Sequence, residues 1–407
     1  MQHLIEYIED QFQAVIDLQS SMVSIPAMGP ANQGEGEKDK ADFIKEYLQE
    51  TGLTEIQEIN APDDRVVCGY RPNLAVKLDG RNPEKTLWII SHLDVVPPGD
   101  LKLWESDPFK LKIDGDHIFG RGVEDNHQGI VSSLLAARAF IALRKKPEIG
   151  LGLIFVSDEE TGNKYGLPYV LGQRPDLFAA ADLFLVPDFG TSDSRMMEVA
   201  EKSMLWIKVS VQGKQCHAST PEKGINSLIA ASSFILRLEG LQHVFSRKDH
   251  LFSPPCSTFC PTKKEGNVPN INTIPGMDIF YVDCRILPNY ALDDVLRQTR
   301  EIGRVIEKEY KVRIDYEVVL QEQSAPPTDP SSDVVVRLAR GIEKVYAVQP
   351  TALGVGGGTV AAFLRHKGYP AVVWSTLLGT AHQPNECASV KNTIKDAQVI
   401  ALMAASE

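Results

Sequence analysis

The residues able to do chemistry fall in five short runs: Ser91-His92-Leu93-Asp94, Gly120-Arg121-Gly122-Val123-Glu124-Asp125, Ser157-Asp158-Glu159-Glu160, Pro187-Asp188 and Ala381-His382. Imidazole together with several carboxylates is the ligand chemistry of zinc and related divalent cations. Each run also has an ordinary reading. A lone His after a strand can be structural, the Glu159-Glu160 pair can be a solvated loop, and Asp125 can cap a following helix. Their joint placement changes the argument, because carboxylates clustered at one place repel and desolvate each other unless a cation lies between them. Cys256 and Cys260 lack the second Cys or His pair that a zinc knuckle requires.

The elements that must position these runs follow from hydrophobic patterning. Helical patterns cover residues 4–22 and 41–51, and the Gly- and charge-rich stretch 29–39 between them reads as a loop. Short apolar strands at 86–90, 151–156, 183–186 and 371–374 then alternate with helical stretches such as 130–144. This predicts a three-layer α/β/α domain whose sheet is mostly parallel and covered on both faces. Ligands of such sheets bind outside the carboxyl ends of the strands. His92, the Glu159-Glu160 pair and Asp188 each stand just after one. The texture changes near Ser203. Residues 205–211, 277–286 and 312–320 alternate polar and apolar, separated by helical patterns at 225–238 and 292–310. That β-α-β-α-β order predicts an inserted α+β domain with an antiparallel sheet. The expected organisation is a catalytic domain in two parts, 1–202 and 323–407, interrupted by residues 203–322; the Pro- and Ser-rich stretch 325–332 returns the chain.

Composition narrows the function. The 407 residues carry 42 basic and 54 acidic side chains, a net charge of −12, which argues against a nucleic-acid binder or a polybasic membrane anchor. No apolar run approaches the ~18 residues needed to span a bilayer. The first 22 residues read as an amphipathic helix, unlike a signal peptide. Six sparse cysteines read as free thiols of a reducing cytoplasm, where the protein is expected to reside.

The motifs Ser91-His92-Leu93-Asp94-Val95-Val96-Pro97, Gly120 to Asp125 and Ser157-Asp158-Glu159-Glu160-Thr161-Gly162, with Pro187-Asp188 and Ala381-His382, resemble the di-zinc hydrolases related to aminoacylase, glutamate carboxypeptidase, acetylornithine deacetylase and succinyl-diaminopimelate desuccinylase. The resemblance spans most of the chain and includes the insertion, which it implies is a ferredoxin-like lid and dimerisation domain. It implies two zinc ions, with cobalt or manganese also suited to the ligands. His92 and Asp188 would hold one ion, Glu160 and His382 the other, and Asp125 would bridge them. Asp94 would accept the second ring N–H of His92. Glu159 would be the general base and then the acid toward a metal-activated water. The Asp125–Asn126 peptide is expected to be cis. His217 resembles the lid His that serves the oxyanion, in dimeric members from the partner subunit. Gly356-Gly357-Gly358-Thr359, Arg285 and Asn272 resemble substrate-binding positions, the glycines freeing backbone N–H groups and Arg285 offering a fork to a carboxylate. Arg285 could equally serve an ion pair with Asp283. The expected activity is hydrolysis of the amide bond in a small N-acyl amino acid or a short peptide with a free carboxylate, by a homodimer. A dipeptidase or aminopeptidase is the alternative, because Asp188 stands where deacylases commonly have Glu. A non-enzymatic binding protein on the same fold is a third reading. Two further departures are Val360, where relatives often have Asp, and His127, where they often have Lys.

Overall fold

A computed structural model describes residues 1–405. Among them, twelve strands build the two main sheets. In chain order these are β1 (Gln57–Glu58), β2 (Leu74–Leu78), β3 (Asn82–His92), β4 (Ile149–Val156), β5 (Leu183–Val186), β6 (Met196–Glu201), β7 (Ser203–Gln212), β8 (Thr258–Lys264), β9 (Met277–Ile286), β10 (Arg313–Glu322), β11 (Thr351–Val355) and β12 (Ala371–Val373). The chain divides into two compact units, one of residues 1–199, 327–353 and 359–405, the other of residues 200–326 and 354–358.

The large sheet has the order β1-β2-β4-β3-β5-β12-β6-β11. Its middle strands β4, β3, β5 and β12 are mutually parallel. All eight residues of β4 are buried, as a strand covered on both faces requires. Trp88 and Ile90 of β3 pack with Phe178, Phe184 and the helices Leu167–Gln173 and Ala361–His366. The helix His127–Ala142 is buried nearly all round and packs against Val390–Ala404, which also packs on Asp333–Tyr346. The expectation of a mostly parallel sheet holds for this middle and fails at its flanks. β2 pairs antiparallel with β4, β1 antiparallel with β2, and β6 antiparallel with β12, so the sheet is mixed. β5 passes to β6 through a loop with no helix, and without a helical crossover a parallel return is not available.

In the second unit the antiparallel sheet runs β8-β9-β7-β10, joined by the helices Ser227–Leu238 and Leu292–Tyr310. The chain order is β-α-β-β-α-β, the ferredoxin-like arrangement. One strand more is present than the alternation revealed. β8 is exposed along most of its length at the sheet edge and contains Pro261, so it carries no two-face pattern. β7 and β9 alternate cleanly, placing Leu205, Ile207, Val209 and Val211 with Phe280, Val282, Cys284 and Ile286 against Phe234 and Val295. The N-terminal helical pattern is broken into Gln2–Glu9 and Phe12–Val23 at Asp10-Gln11. Among the described residues, no helix is long and apolar enough to cross a membrane.

Candidate metal centre

The four parallel strands are neighbours, so their carboxyl ends form one continuous edge. His92 is the last residue of β3, Glu159 and Glu160 sit in a single 3-10 turn after β4, Asp188 follows β5 by two residues, and His382 lies in the loop after β12. Asp125 approaches from the turn before the helix His127–Ala142, and the Asp125–Asn126 peptide is cis as expected. Gly122 in that turn has φ +89°, and a Cβ there would stand 2.7 Å from Val95. Only glycine fits at that position.

Two groups of side chains converge there. His92, Asp125 and Asp188 offer ligand atoms within 4.8 Å of one another, and so do Asp125, Glu160 and His382. Asp125 belongs to both. Its Oδ1 lies 2.8 Å from His92 Nε2, and its Oδ2 lies 3.1 Å from His382 Nε2. Asp188 Oδ1 is 3.3 Å from His92 Nε2, and Glu160 Oε2 is 3.0 Å from His382 Nε2. The donor set is nitrogen and oxygen only, with three carboxylates around two imidazoles. That is a fit for a pair of borderline divalent cations.

The electrostatics carry the mark of a site built for positive charge. Burial alone would push the His92 imidazole down, but hydrogen bonds to Asp125, Asp188 and Asp94 carry it well above its ordinary value. Hydrogen bonds to Asp125 and Glu160 raise His382 to about 10. Burial opposes ionisation of Asp125, yet His382 and His92 hold its carboxyl below the usual range. Glu159 moves the other way. Burial, and then the charge of Asp188, push its carboxyl well up. Glu159 and the carboxylates around it are thus set apart by their environments.

Asp94 lies behind His92 and meets it through two groups. The acceptor nearest His92 Nδ1 is the main-chain carbonyl of Asp94, at 2.9 Å, and the carboxylate stands 3.6 Å away. That carboxylate is engaged by the main-chain N–H groups of Glu159 and Glu160, at 3.1 and 3.0 Å, and so pins the turn after β4. Residues to which the sequence argument gave no role tie the other loops. Asn126 Nδ2 donates to Pro187 O and to Asp188 Oδ1, at 2.7 and 2.9 Å. Glu386 accepts from the turn that carries Asp125, and Glu124 accepts from the loop that carries His382. Lys40, fully buried on another helix, has its Nζ 2.7 Å from His127 Nε2. Burial lowers Lys40 to about 7. The available signal for Glu124 was its place beside Asp125, and for Glu386 its place four residues after His382, since a buried charge near a ligand needs partners.

The remaining expected residues lie elsewhere in the chain. In the second unit His217 is exposed; its Nδ1 accepts from Ser219 N at 3.1 Å. It pairs with Thr273 in a small two-stranded sheet, and just beyond the pairing Ala218 N donates to Asn272 O at 2.8 Å, so His217 and Asn272 lie at the same end of it. Arg285 has its Nε and Nη2 on Asp283 at 2.7 and 3.0 Å, and its Nη1 on Gly356 O at 2.8 Å. Its fork therefore serves an ion pair and holds the glycine loop. Gly356, Gly357 and Gly358 all lack a left-handed φ, and a Cβ on Gly356 or Gly357 would meet nothing within 4 Å. Their glycine identity is not demanded by backbone conformation. Thr359, in the first unit, accepts from Ala361 N at 3.2 Å at the start of the helix Ala361–His366.

Residues 88–406 match the model of peptidase family M20/M25/M40. The chain belongs to that family. It is 42% identical over 406 residues to a metallohydrolase of Methanocaldococcus jannaschii, covering 96% of this chain and 98% of that one. It is 27% identical over 390 residues to the succinyl-diaminopimelate desuccinylase of Nitratiruptor, covering 94% and 96%. Among solved structures, an aminopeptidase of Bacillus cereus superposes with a TM-score of 0.75 at 19% identity, covering 97% of this chain and 98% of that one. The protein is accordingly an M20 family metallohydrolase with a mixed α/β fold, and its candidate ligand groups are those that converge on Asp125.

Proposed function

We propose that this M20 hydrolase uses two divalent cations, zinc in the first instance, to cleave the amide bond of small N-acyl amino acids or short peptides that carry a free carboxylate. The observation that carries the reading is Asp125, whose two oxygens face different imidazoles while the carboxyl of Glu159 lies half-buried near them. His92 and Asp188 would hold one ion, Glu160 and His382 the other, with Asp125 shared. Bound there, the ions supply Lewis acidity and make a water acidic enough to ionise near neutral pH. With the ions bound, Glu159 would take a proton from that water and pass it to the leaving amine. The turn held by Asp94 fixes Glu159 and Glu160 together, so base and ligand keep a constant spacing.

The second unit is assigned the role of lid and dimerisation domain, His217 that of oxyanion donor, and Arg285, Asn272 and the loop Gly356 to Thr359 that of holding the substrate carboxylate. The cytoplasm is the assigned compartment. The likeness to a desuccinylase at 27% identity supports the deacylase side of this reading. A dipeptidase or aminopeptidase is favoured instead by Asp188 in place of Glu. Assay of the purified, zinc-loaded protein against N-acetyl and N-succinyl amino acids beside a dipeptide panel separates the two. Cleavage of free dipeptides alone defeats the deacylase reading, and no cleavage of any member defeats both.

A further inference from the structure

Glu124 and Glu386 are buried carboxylates at the rim of the candidate metal centre, and each is saturated by donors from the other's loop. Glu386 lies four residues after His382. Its Oε2 accepts from Arg121 Nη1 at 2.6 Å and Gly122 N at 3.0 Å, and its Oε1 accepts from Glu124 N and Asp125 N, both at 3.0 Å. Glu124 immediately precedes Asp125. Its Oε1 accepts from Leu378 N and from Gly379 N at 3.0 Å, and its Oε2 accepts from Thr380 N and from Thr380 Oγ1 at 2.8 Å. The His382 loop thus holds the Asp125 turn, and the Asp125 turn holds the His382 loop.

We infer that Glu124 and Glu386 are a reciprocal pair of positioning residues, in which Glu124 sets the place of His382 and Glu386 sets that of Asp125. Neither residue is itself proposed to touch an ion. The chemistry explains why both are carboxylates: eight donors, one of them the guanidinium of Arg121, converge on four oxygens, two per oxygen. An amide in place of either carboxylate turns its NH2 toward two donors whichever way it is flipped, so one pair of hydrogen bonds is lost and a repulsion replaces it. The two residues differ in reach. Glu124 grips only the loop of His382, which serves the ion shared with Glu160. Glu386 grips the N–H of Asp125, which faces both ions.

The inference rests on the two-cation reading of the site, and the experiment separates the two. Metal-free full-length protein is titrated with zinc against a chromophoric chelator, with unfolding of the metal-free form followed in parallel. Wild type should bind two equivalents; fewer than two overturns the cation-pair reading itself. With that established, Glu124→Gln should keep the first equivalent and weaken the second by about 10- to 100-fold, the range seen for partners of metal ligands. Glu386→Gln should weaken both. Thr380→Val, which removes one donor to Glu124 and closes the same loop less firmly through Cys387, should weaken the second equivalent in the same direction and serves if Glu124→Gln does not fold. A folded Glu124→Gln or Thr380→Val protein whose second equivalent binds as in wild type overturns the inference. So does an equal loss at both sites in Glu124→Gln, which general loosening would give.

Discussion

Loading the centre with metal should expel protons in a countable number. In the metal-free protein His382 is hydrogen-bonded to Asp125 and Glu160 and raised to about 10. His92 is likewise well above its ordinary value. At about pH 7.5 the His382 imidazole is therefore almost fully protonated, whereas a metal ion requires the neutral ring. At least one proton per chain, that of His382, should leave when metal enters. The sign is set by the direction of the shifts. The proton competes with the ion, so apparent affinity on the His382 side rises with pH by about tenfold per unit between roughly pH 6.5 and 8.5, and flattens above about 10. Without metal the same proton stabilises the fold. Its contribution is fully present below the unfolded value near 6.5 and is lost as pH climbs through about 10. Calorimetric titration of the metal-free protein with zinc, repeated in buffers of different ionisation enthalpy, gives the proton count from the slope of heat against buffer enthalpy. A slope of one or more is expected. A slope near zero, or an affinity flat over that pH interval, refutes the claim that Asp125 and Glu160 hold the His382 ring charged before metal arrives.

Replacing the base tests a separate step. Glu159→Gln should bind both ions as wild type does and lose about 10²- to 10⁴-fold in kcat, measured on whichever substrate the panel yields; a variant retaining most of its rate removes Glu159 from the chemistry. If His217 acts across a dimer, mixing His217→Ala with Glu159→Gln protein should restore part of the activity that each lacks, and a monomer by sedimentation with full wild-type activity contradicts that role. In the second unit Phe234 is fully buried and meets Phe280 edge-on at 5.7 Å between ring centroids. Phe234→Ala should cost about 3–5 kcal/mol in denaturant unfolding, and a loss under 1 kcal/mol would show that the core collapses into the space.

Much of the site was legible because strand ends are legible. An apolar run such as 183–186 closed by Pro187-Asp188 announces both a buried strand and the carboxylate standing just past its end. Sharing of one sheet edge by four such ends then needs only the parallel order of β4, β3, β5 and β12. Other features left no local trace. Leu74–Leu78 and Met196–Glu201 enter the sheet antiparallel, and nothing in such short runs states direction. The edge strand Thr258–Lys264 has little burial to pattern it. The roles of Asp94, Asn126, Glu124 and Glu386 depend on which backbone groups lie opposite them. Main-chain partners such as Pro187 O for Asn126, Glu160 N for Asp94, Leu378 N for Glu124 and Glu124 N for Glu386 are far off in sequence, and only the folded chain brings them together.

Zinc-loaded crystals measured on either side of the zinc absorption edge test directly whether Asp125 stands between two cations. Two anomalous peaks about 3.5–4 Å apart are expected, one against His92 and Asp188, the other against Glu160 and His382, with one oxygen of Asp125 on each. A single peak, or a pair that Asp125 does not join, contradicts it.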